Sequence, residues 1–390
     1  MIKDIIYPPA KIGIIGGGQL GRMLAFEAKK MGYEVITLDP KENCPTAQVC
    51  DKQIVGSLYD VQKIRELVEL CDVTTYEFEF LDTDILCQLE EEGHKIYPSG
   101  KTLKKIQNKY IQKSLFRDAG LPVPRFVKIE NKKDLNEGLK ELGLPAILKC
   151  CTGGYDGKGN TVIRKIEDID KLEIEEMISQ EQFMLEEFID FTAEISVGVA
   201  RGYNKENEYY PIGENIHEEN ILRITKVPAN INSELEKKAK DVVKSIMDTF
   251  DDIGMFCVEL FVTNENDIYI NEVAPRPHNS THYTIEACKT SQFEQQLRAI
   301  TGLPLGSTDL LSPVVMANLL GESKIEGNFV IEGLDNMLKN KGTHFHFYGK
   351  SFVDKKKKVG HITILDEDIN EAESRAKKVM KDINIISIGR

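Results

Sequence analysis

A chain of 390 residues is longer than one hydrophobic core organises, and 41% hydrophobic with 29% charged residues is the balance of a soluble protein of two or three domains. With 50 basic and 63 acidic residues the net charge is −13, which argues against nonspecific nucleic-acid binding and requires that positive charge facing a phosphate be gathered locally. No apolar run approaches a membrane span, Met1 to Lys11 is too short and charged for a targeting signal, and eight scattered cysteines without a Cys-x-x-Cys fit reduced thiols in a cytoplasm.

Lys11 to Ile15 reads as a strand, Gly16-Gly17-Gly18-Gln19-Leu20-Gly21 as a tight turn, and Arg22 to Met31 as an amphipathic helix stopped by Gly32. Glu34 to Asp39 is the next strand. This βαβ opening carries a Gly-x-Gly-x-x-Gly fingerprint with Asp39 near the spacing of a ribose-binding acid. Its literal reading is a nicotinamide dinucleotide site. The competing reading is a doubly wound domain that keeps the turn for another ligand or for packing, and the sequence leaves both open. Alternation continues with a helix at Asp60 to Leu70, a strand at Asp72 to Tyr76, a helix at Thr83 to Glu92 and a strand at Lys95 to Tyr97. Thr75-Tyr76-Glu77-Phe78-Glu79 sets two carboxylates past a strand end, where ligands gather in open α/β sheets. Ser99 caps a helix through Asn108, a second runs from Lys109 to Ala119, and Leu121-Pro122-Val123-Pro124 is a stiff connector.

After a helix at Asp134 to Glu141, Ala146 to Lys149 is a buried strand ending on a lysine. Thr152-Gly153-Gly154-Tyr155-Asp156-Gly157-Lys158-Gly159-Asn160 follows, and Thr161 to Arg164 returns as a strand. Glycines at this density let backbone N–H groups close on an anion, and Lys149 adds a point charge. No Gly-Lys-Ser/Thr opens a helix, so this is not a Walker A loop. A helix at Glu167 to Ser179 leads to the strand Phe183 to Ile189, a candidate hinge and adenine-binding edge. Downstream, Glu259 sits among apolar neighbours in Phe256 to Val262, and Asn271 and Glu272 end a second strand that begins at Asp267. Buried carboxylates are costly unless paired or metal-bound, and two of them with an amide supply the hard oxygens magnesium takes alongside phosphates.

At these residues the chain resembles the ATP-grasp superfamily, and within it the 5-(carboxyamino)imidazole ribonucleotide synthases. GGGQLGRM (Gly16 to Met23), TYEFE (Thr75 to Glu79), TGGYDGKG (Thr152 to Gly159), NEVAPRPHNSTHYT (Asn271 to Thr284), MANLLG (Met316 to Gly321), YGK (Tyr348 to Lys350) and VGH (Val359 to His361) carry the likeness. It implies an α/β and α+β architecture: an N-terminal doubly wound, pre-ATP-grasp domain (1–108), an ATP-grasp domain (109–305, lid lobe about 125–188, core lobe about 189–305) and a small β-rich C-terminal domain (306–390). It implies that Lys109, Lys149 and Gly154, Tyr155, Asp156, Gly157, Lys158, Gly159 and Asn160 contact ATP phosphates. Glu186, Glu187, Phe188 and Ile189 would hold the adenine, Glu194 the ribose, and His217 would line the cleft. Glu259 and Glu272 would ligate Mg2+, with Asn271 beside them. Tyr155, Asp156 and Lys158 would reach aminoimidazole ribonucleotide from the lid, and Arg276, with Lys350 or Lys358 and His361, its 5′-phosphate. The family usually has arginine at Lys109 and commonly at Lys158, so two bidentate forks are replaced by point charges. The implied reaction joins ATP, bicarbonate and aminoimidazole ribonucleotide in a homodimer, without nucleic acid or membrane. A formate-dependent ATP-grasp transformylase shares the clamp but lacks HNSTHYT, and an oxidoreductase built on the N-terminal fingerprint is the alternative from another class.

Overall fold

The computed structural model describes residues 5–153, 159–171, 174–321, 325–326, 328–353 and 357–387. The N-terminal region runs β1 (Lys11–Ile15), α1 (Gln19–Lys30), β2 (Glu34–Asp39), β3 (Lys52–Val55), α2 (Val61–Leu70), β4 (Val73–Tyr76), α3 (Thr83–Glu91) and α4 (Gly100–Gln107). Its strands are parallel in the order β3-β2-β1-β4. Ile12, Ile14 and Ile15 of β1 and all of β4 are buried, as central strands covered on both faces must be. Strand β3 was not legible beforehand, because Lys52 and Gln53 break its apolar pattern. The strand expected at Lys95 to Tyr97 is reduced to one bridge, Thr74 to Ile96.

The lid follows as α5 (Lys109–Asp118), β5 (Phe126–Ile129), α6 (Lys132–Leu142), β6 (Ala146–Cys150), β7 (Asn160–Ile163), α7 (Ile174–Gln180) and β8 (Phe183–Glu187). Its antiparallel sheet has the order β5-β8-β6-β7. Helix α6 starts on the Asn131 side-chain cap, stops at Gly143 and buries Leu135, Leu139 and Leu142 against Ile129, Leu148 and Leu185. The helix expected from Glu167 to Ser179 is instead a 3-10 turn, Ile166–Lys171, followed by α7. Gly154, Tyr155, Asp156, Gly157 and Lys158, the tip of the expected phosphate loop, lie outside the described residues.

The core lobe adds β9 (Phe191–Arg201), β10 (Asn207–Tyr209), β11 (Gly213–Glu218), β12 (Ile221–Val227), α8 (Ser233–Phe250), β13 (Gly254–Thr263), β14 (Ile268–Ala274), α9 (Thr284–Ala287) and α10 (Gln292–Thr301). The last region holds β15 (Val314–Leu320), β16 (Ile325–Glu326), β17 (Phe329–Glu332), α11 (Leu334–Leu338), β18 (Thr343–Phe347), β19 (Phe352–Val353), β20 (Lys358–Leu365), α12 (Ile369–Asp382) and β21 (Asn384–Ser387). One antiparallel sheet, β14-β13-β9-β11-β12-β15-β20-β18 with β10 on β9, runs through both regions. The C-terminal region is thus welded to the core lobe through β12 and β15 rather than tethered by a linker. Helix α8 packs Leu235, Val243, Ile246 and Met247 on β9 and β13 behind the cleft.

Candidate active site

The lysine expected to end β6 is its penultimate residue and lies inside the protein. Lys149 Nζ is 2.5 Å from Glu186 Oε1 on the neighbouring strand β8, and Lys113 Nζ, one turn beyond Lys109 on α5, is 2.5 Å from Glu186 Oε2. Glu186 is 1% exposed. Burial pushes its carboxyl up, but the two ammonium groups overcome that and hold it below the usual value. Burial brings Lys113 down to about 8, although Glu186 opposes the shift. Lys113 also donates to the Ile270 carbonyl at 3.2 Å, tying the lid strand to β14. The Glu186 carboxylate is therefore committed to two lysines, and that of Glu187 to Arg125 Nε and N–H, each at 2.7 Å. The expected adenine-binding edge is not an edge: β8 lies inside its sheet, paired to β5 and β6, and the Glu187 N–H donates to the Arg125 carbonyl, so only Phe188 and Ile189, beyond the strand end, leave the sheet. Sequence reasoning missed Lys113; its i,i+4 spacing from Lys109 was the available signal.

Opposite stand the carboxylates. Glu259 and Glu272 are direct register partners on β13 and β14, and a bulge just beyond them makes Asn271 the extra residue. Lys109 Nζ lies 3.2 Å from Glu272 Oε2, so Lys109 holds Glu272 below, and Glu272 holds Lys109 above, its ordinary value. Glu259 fares differently. Burial first, then Glu194 and Glu272, drive its carboxyl well up, and the Lys358 and Lys109 charges only moderate the rise. Glu194 on β9, 9% exposed, is pushed to about 7 by burial and by Glu272, with His217 Nε2 3.7 Å away. Three carboxylates thus converge on the cleft with part of their mutual repulsion uncompensated. Among the described residues no group of three or more His, Cys, Asp or Glu is arranged to hold a metal ion by itself. An open pair of hard oxygen donors in such a field fits magnesium whose remaining ligands come from phosphates.

Beyond β14, Arg276 Nη2 reaches Glu79 Oε1 at 2.5 Å, joining the TYEFE segment to the core lobe. Burial lowers Arg276, but Glu79 more than restores it. His278 Nδ1 accepts from the Ser280 N–H at 3.3 Å and lies 3.8 Å from Glu259 Oε1. Burial, then the Arg276 and Lys358 charges, pull its pKa well down, so the ring is neutral with its proton on Nε2. Arg276 Nε and both side-chain polar atoms of Asn279 are buried without a hydrogen-bond partner among the described residues. Orphaned polar atoms beside a cleft mark the place of a polar ligand. Lys358 opens β20 and its charge reaches both Glu259 and His278, whereas Lys350 Nζ donates to the Lys358 carbonyl at 2.8 Å. His361 departs from expectation. It is fully buried, with Tyr348 Oη 2.9 Å from its Nδ1 and its Nε2 without a hydrogen-bond partner among the described residues.

The N-terminal glycine turn is filled from within. Glu77 accepts from Gly18 N–H, and from Gly21 N–H at 2.8 Å, while Asp39 accepts from Gly17 N–H at 2.8 Å. A Cβ on Gly18 would lie 2.5 Å from Glu77 Oε1. The amides a pyrophosphate would need are taken by the chain's own carboxylates. Burial raises the Glu77 carboxyl although those amides oppose it.

A four-stranded lid facing a large antiparallel sheet, with lysines on one side and carboxylates on the other, defines an ATP-grasp protein. Family models agree along the chain: the ribonucleotide synthetase preATP-grasp domain over residues 9–107, the ATP-grasp domain over 114–293, and the phosphoribosylaminoimidazole carboxylase C-terminal domain over 314–375. The N5-carboxyaminoimidazole ribonucleotide synthase of Bacillus subtilis (strain 168) is 42% identical over 372 residues, 95% of each chain. A crystal structure of an N5-carboxyaminoimidazole ribonucleotide synthetase with ADP superposes with a TM-score of 0.91 at 44% identity, covering 98% of this chain and 99% of that one. The Aspergillus clavatus synthase in complex with ADP and 5-aminoimidazole ribonucleotide gives 0.86 at 31%, covering 95% and 98%. The chain belongs to the N5-carboxyaminoimidazole ribonucleotide synthase family.

Proposed function

We propose that the protein uses ATP to carboxylate 5-aminoimidazole ribonucleotide with bicarbonate, giving 5-(carboxyamino)imidazole ribonucleotide, ADP and phosphate in purine biosynthesis. The observation that carries this reading is that Arg276 Nε and the Asn279 amide, on the segment after the Glu272 strand, are buried without a hydrogen-bond partner among the described residues, in the same field of Lys358 and Arg276 charge that acts on His278. Bicarbonate is a poor electrophile. Its oxygen attacks the γ-phosphorus as the bond to ADP breaks, and the resulting carboxyphosphate transfers its carbon to the amine directly or as carbon dioxide, releasing phosphate. Lys109 and Lys149 neutralise and orient the phosphates, with Lys149 held in place by Glu186, whose other oxygen pairs Lys113. In this reading Arg276, which the resemblance puts at the ribonucleotide phosphate, joins the His278 Nε2–H and Asn279 in orienting bicarbonate and its developing negative charge. Glu259 and Glu272, with Asn271 beside them, would hold magnesium, which when bound neutralises phosphoryl oxygens. Glu194 and His217 face the nucleotide, and Lys358 the ribonucleotide phosphate. Tyr155, Asp156 and Lys158 would contact the ribonucleotide, and the site must exclude water, because carboxyphosphate hydrolyses quickly in it.

A cytoplasmic homodimer completes the proposal. No helix among the described residues is long and apolar enough to cross a membrane, and exposed Val55, Tyr59, Val61 and Leu70 border β3, the outer strand of the N-terminal sheet. Phosphate release with labelled bicarbonate tests the activity: turnover should require aminoimidazole ribonucleotide and the label should enter product. Turnover with formate and glycinamide ribonucleotide, and none with the imidazole, would refute it.

A further inference from the structure

One buried side chain makes four hydrogen bonds to the segment that carries Arg276, His278 and Asn279. Gln292, the first residue of α10, is 0% exposed. Its Oε1 accepts from the His278 N–H at 2.8 Å and from Thr281 Oγ1 at 2.5 Å; its Nε2 donates to the His278 carbonyl at 3.0 Å and faces His282 Nδ1 at 2.9 Å. Both ends of the His278 main chain are thus gripped by one amide. The His278 N–H can only donate, which fixes the amide orientation and leaves Nε2 to donate to the ring nitrogen. His282 is accordingly neutral, with its proton on Nε2.

The grip extends into the C-terminal region. The His282 ring lies 4.7 Å from that of His361, which stacks at 4.4 Å on His346; His361 bonds Tyr348, and His346 Nε2 is 2.6 Å from Glu286 Oε1. Tyr348 begins the segment that leads to Lys350, whose ammonium holds the Lys358 carbonyl. Arg276, His278 and Asn279 on one side and Lys358 on the other are therefore set by a common buried column of Gln292, His282, His361 and Tyr348.

We propose that Gln292 is a positioning residue for the carboxylation: its amide fixes the His278 main chain, and with His282 it sets the distance between the bicarbonate donors and the lysine of the C-terminal strand. The inference rests on the proposed function above. Displacing a reacting group by about 1 Å costs on the order of 10²-fold in rate.

The test is Gln292→Glu, which keeps the shape and the acceptor oxygen but removes both donors, with Gln292→Met as the cruder variant. Expected for Gln292→Glu are a kcat lowered by about 10²-fold and a bicarbonate KM raised about 10-fold, while the ATP KM, set across the cleft by Lys149 and the lid, stays within about twofold. Activity should recover partly as pH falls, because a proton shared by the introduced carboxylate and His282 restores one donor. The groups facing that proton are His278, His346, His361, Arg276 and Lys358. Nitrogen-15 histidine spectra, independent of turnover, should show His282 in the wild type with an unprotonated Nδ1 and should lose that signature in Gln292→Glu. Equal loss in both KM values, or kinetics unchanged in Gln292→Glu, would overturn the inference. A wild type lacking bicarbonate-dependent turnover but showing the expected His282 tautomer would instead sink the functional reading and leave the clamp in place. If Gln292→Met does not fold, Gln292→Glu alone decides.

Discussion

Replacing Glu259 by glutamine should stabilise the protein without ligand while removing most of its activity. Glu259 and Glu272 face each other across β13 and β14, and of the two Glu272 is the one held by Lys109. Two carboxylates about 5 Å apart repel by about 3 kcal/mol at an effective dielectric constant near 20. Lys109 cancels part of this, so Glu259→Gln should gain about 1–2 kcal/mol, or a rise of several degrees in the apo melting temperature of the region. The sign follows from linkage. Burial and its acidic neighbours hold the Glu259 carboxyl above its unfolded value, so wild-type stability is lost as pH rises through the native titration. The gain should be absent near pH 4 and grow toward pH 8. Because the variant removes a proposed magnesium ligand, turnover should fall by about 10²–10³-fold and the thermal shift with magnesium-ATP should shrink. Scanning calorimetry of both proteins at pH 4, 6 and 8, with and without magnesium-ATP, is the assay. A lower apo melting temperature at pH 8, a pH-independent gain, or an undiminished magnesium-ATP shift would refute the reasoning.

Glu272→Gln should behave differently: it strands Lys109 in a partly exposed pair, so apo stability should change by less than about 1 kcal/mol while turnover falls comparably, read by the same calorimetry and phosphate release. Lys113→Met should cost about 1–3 kcal/mol, because Lys149 still pairs Glu186, whereas Glu186→Gln, which strands two buried ammonium groups, should cost about 3–5 kcal/mol in urea unfolding. Gly18→Ala should destabilise, because its Cβ meets Glu77, and NADH at micromolar concentration should give no saturable fluorescence change with the wild type; saturable binding would return the dinucleotide reading.

The sequence by itself marked the elements with strong local signals. A lysine ending an apolar strand before a run of glycines, two acids inside apolar strands, and a glycine turn between strand and helix were all legible, because periodicity and glycine chemistry act over a few residues. Those signals located Lys149, Glu259 and Glu272 and the doubly wound opening. They could not say what filled the turn. Glu77 lies 59 positions from Gly18, and its carboxylate reaches those amides only because β4 pairs with β1. Nor could they show that Glu186 is committed to Lys113 and Lys149, that a bulge singles out Asn271, or that Gln292 grips His278. Each depends on which strands and helices become neighbours. His361 reads in sequence as a candidate phosphate ligand, and only the packing of β20 between β15 and β18 shows that it is buried against His282. Residue types and local spacing set which chemistry was available, and long-range pairing decided which groups reach the cleft and which are spent holding it, because burial and partner distance are set by the sheet and not by the segment.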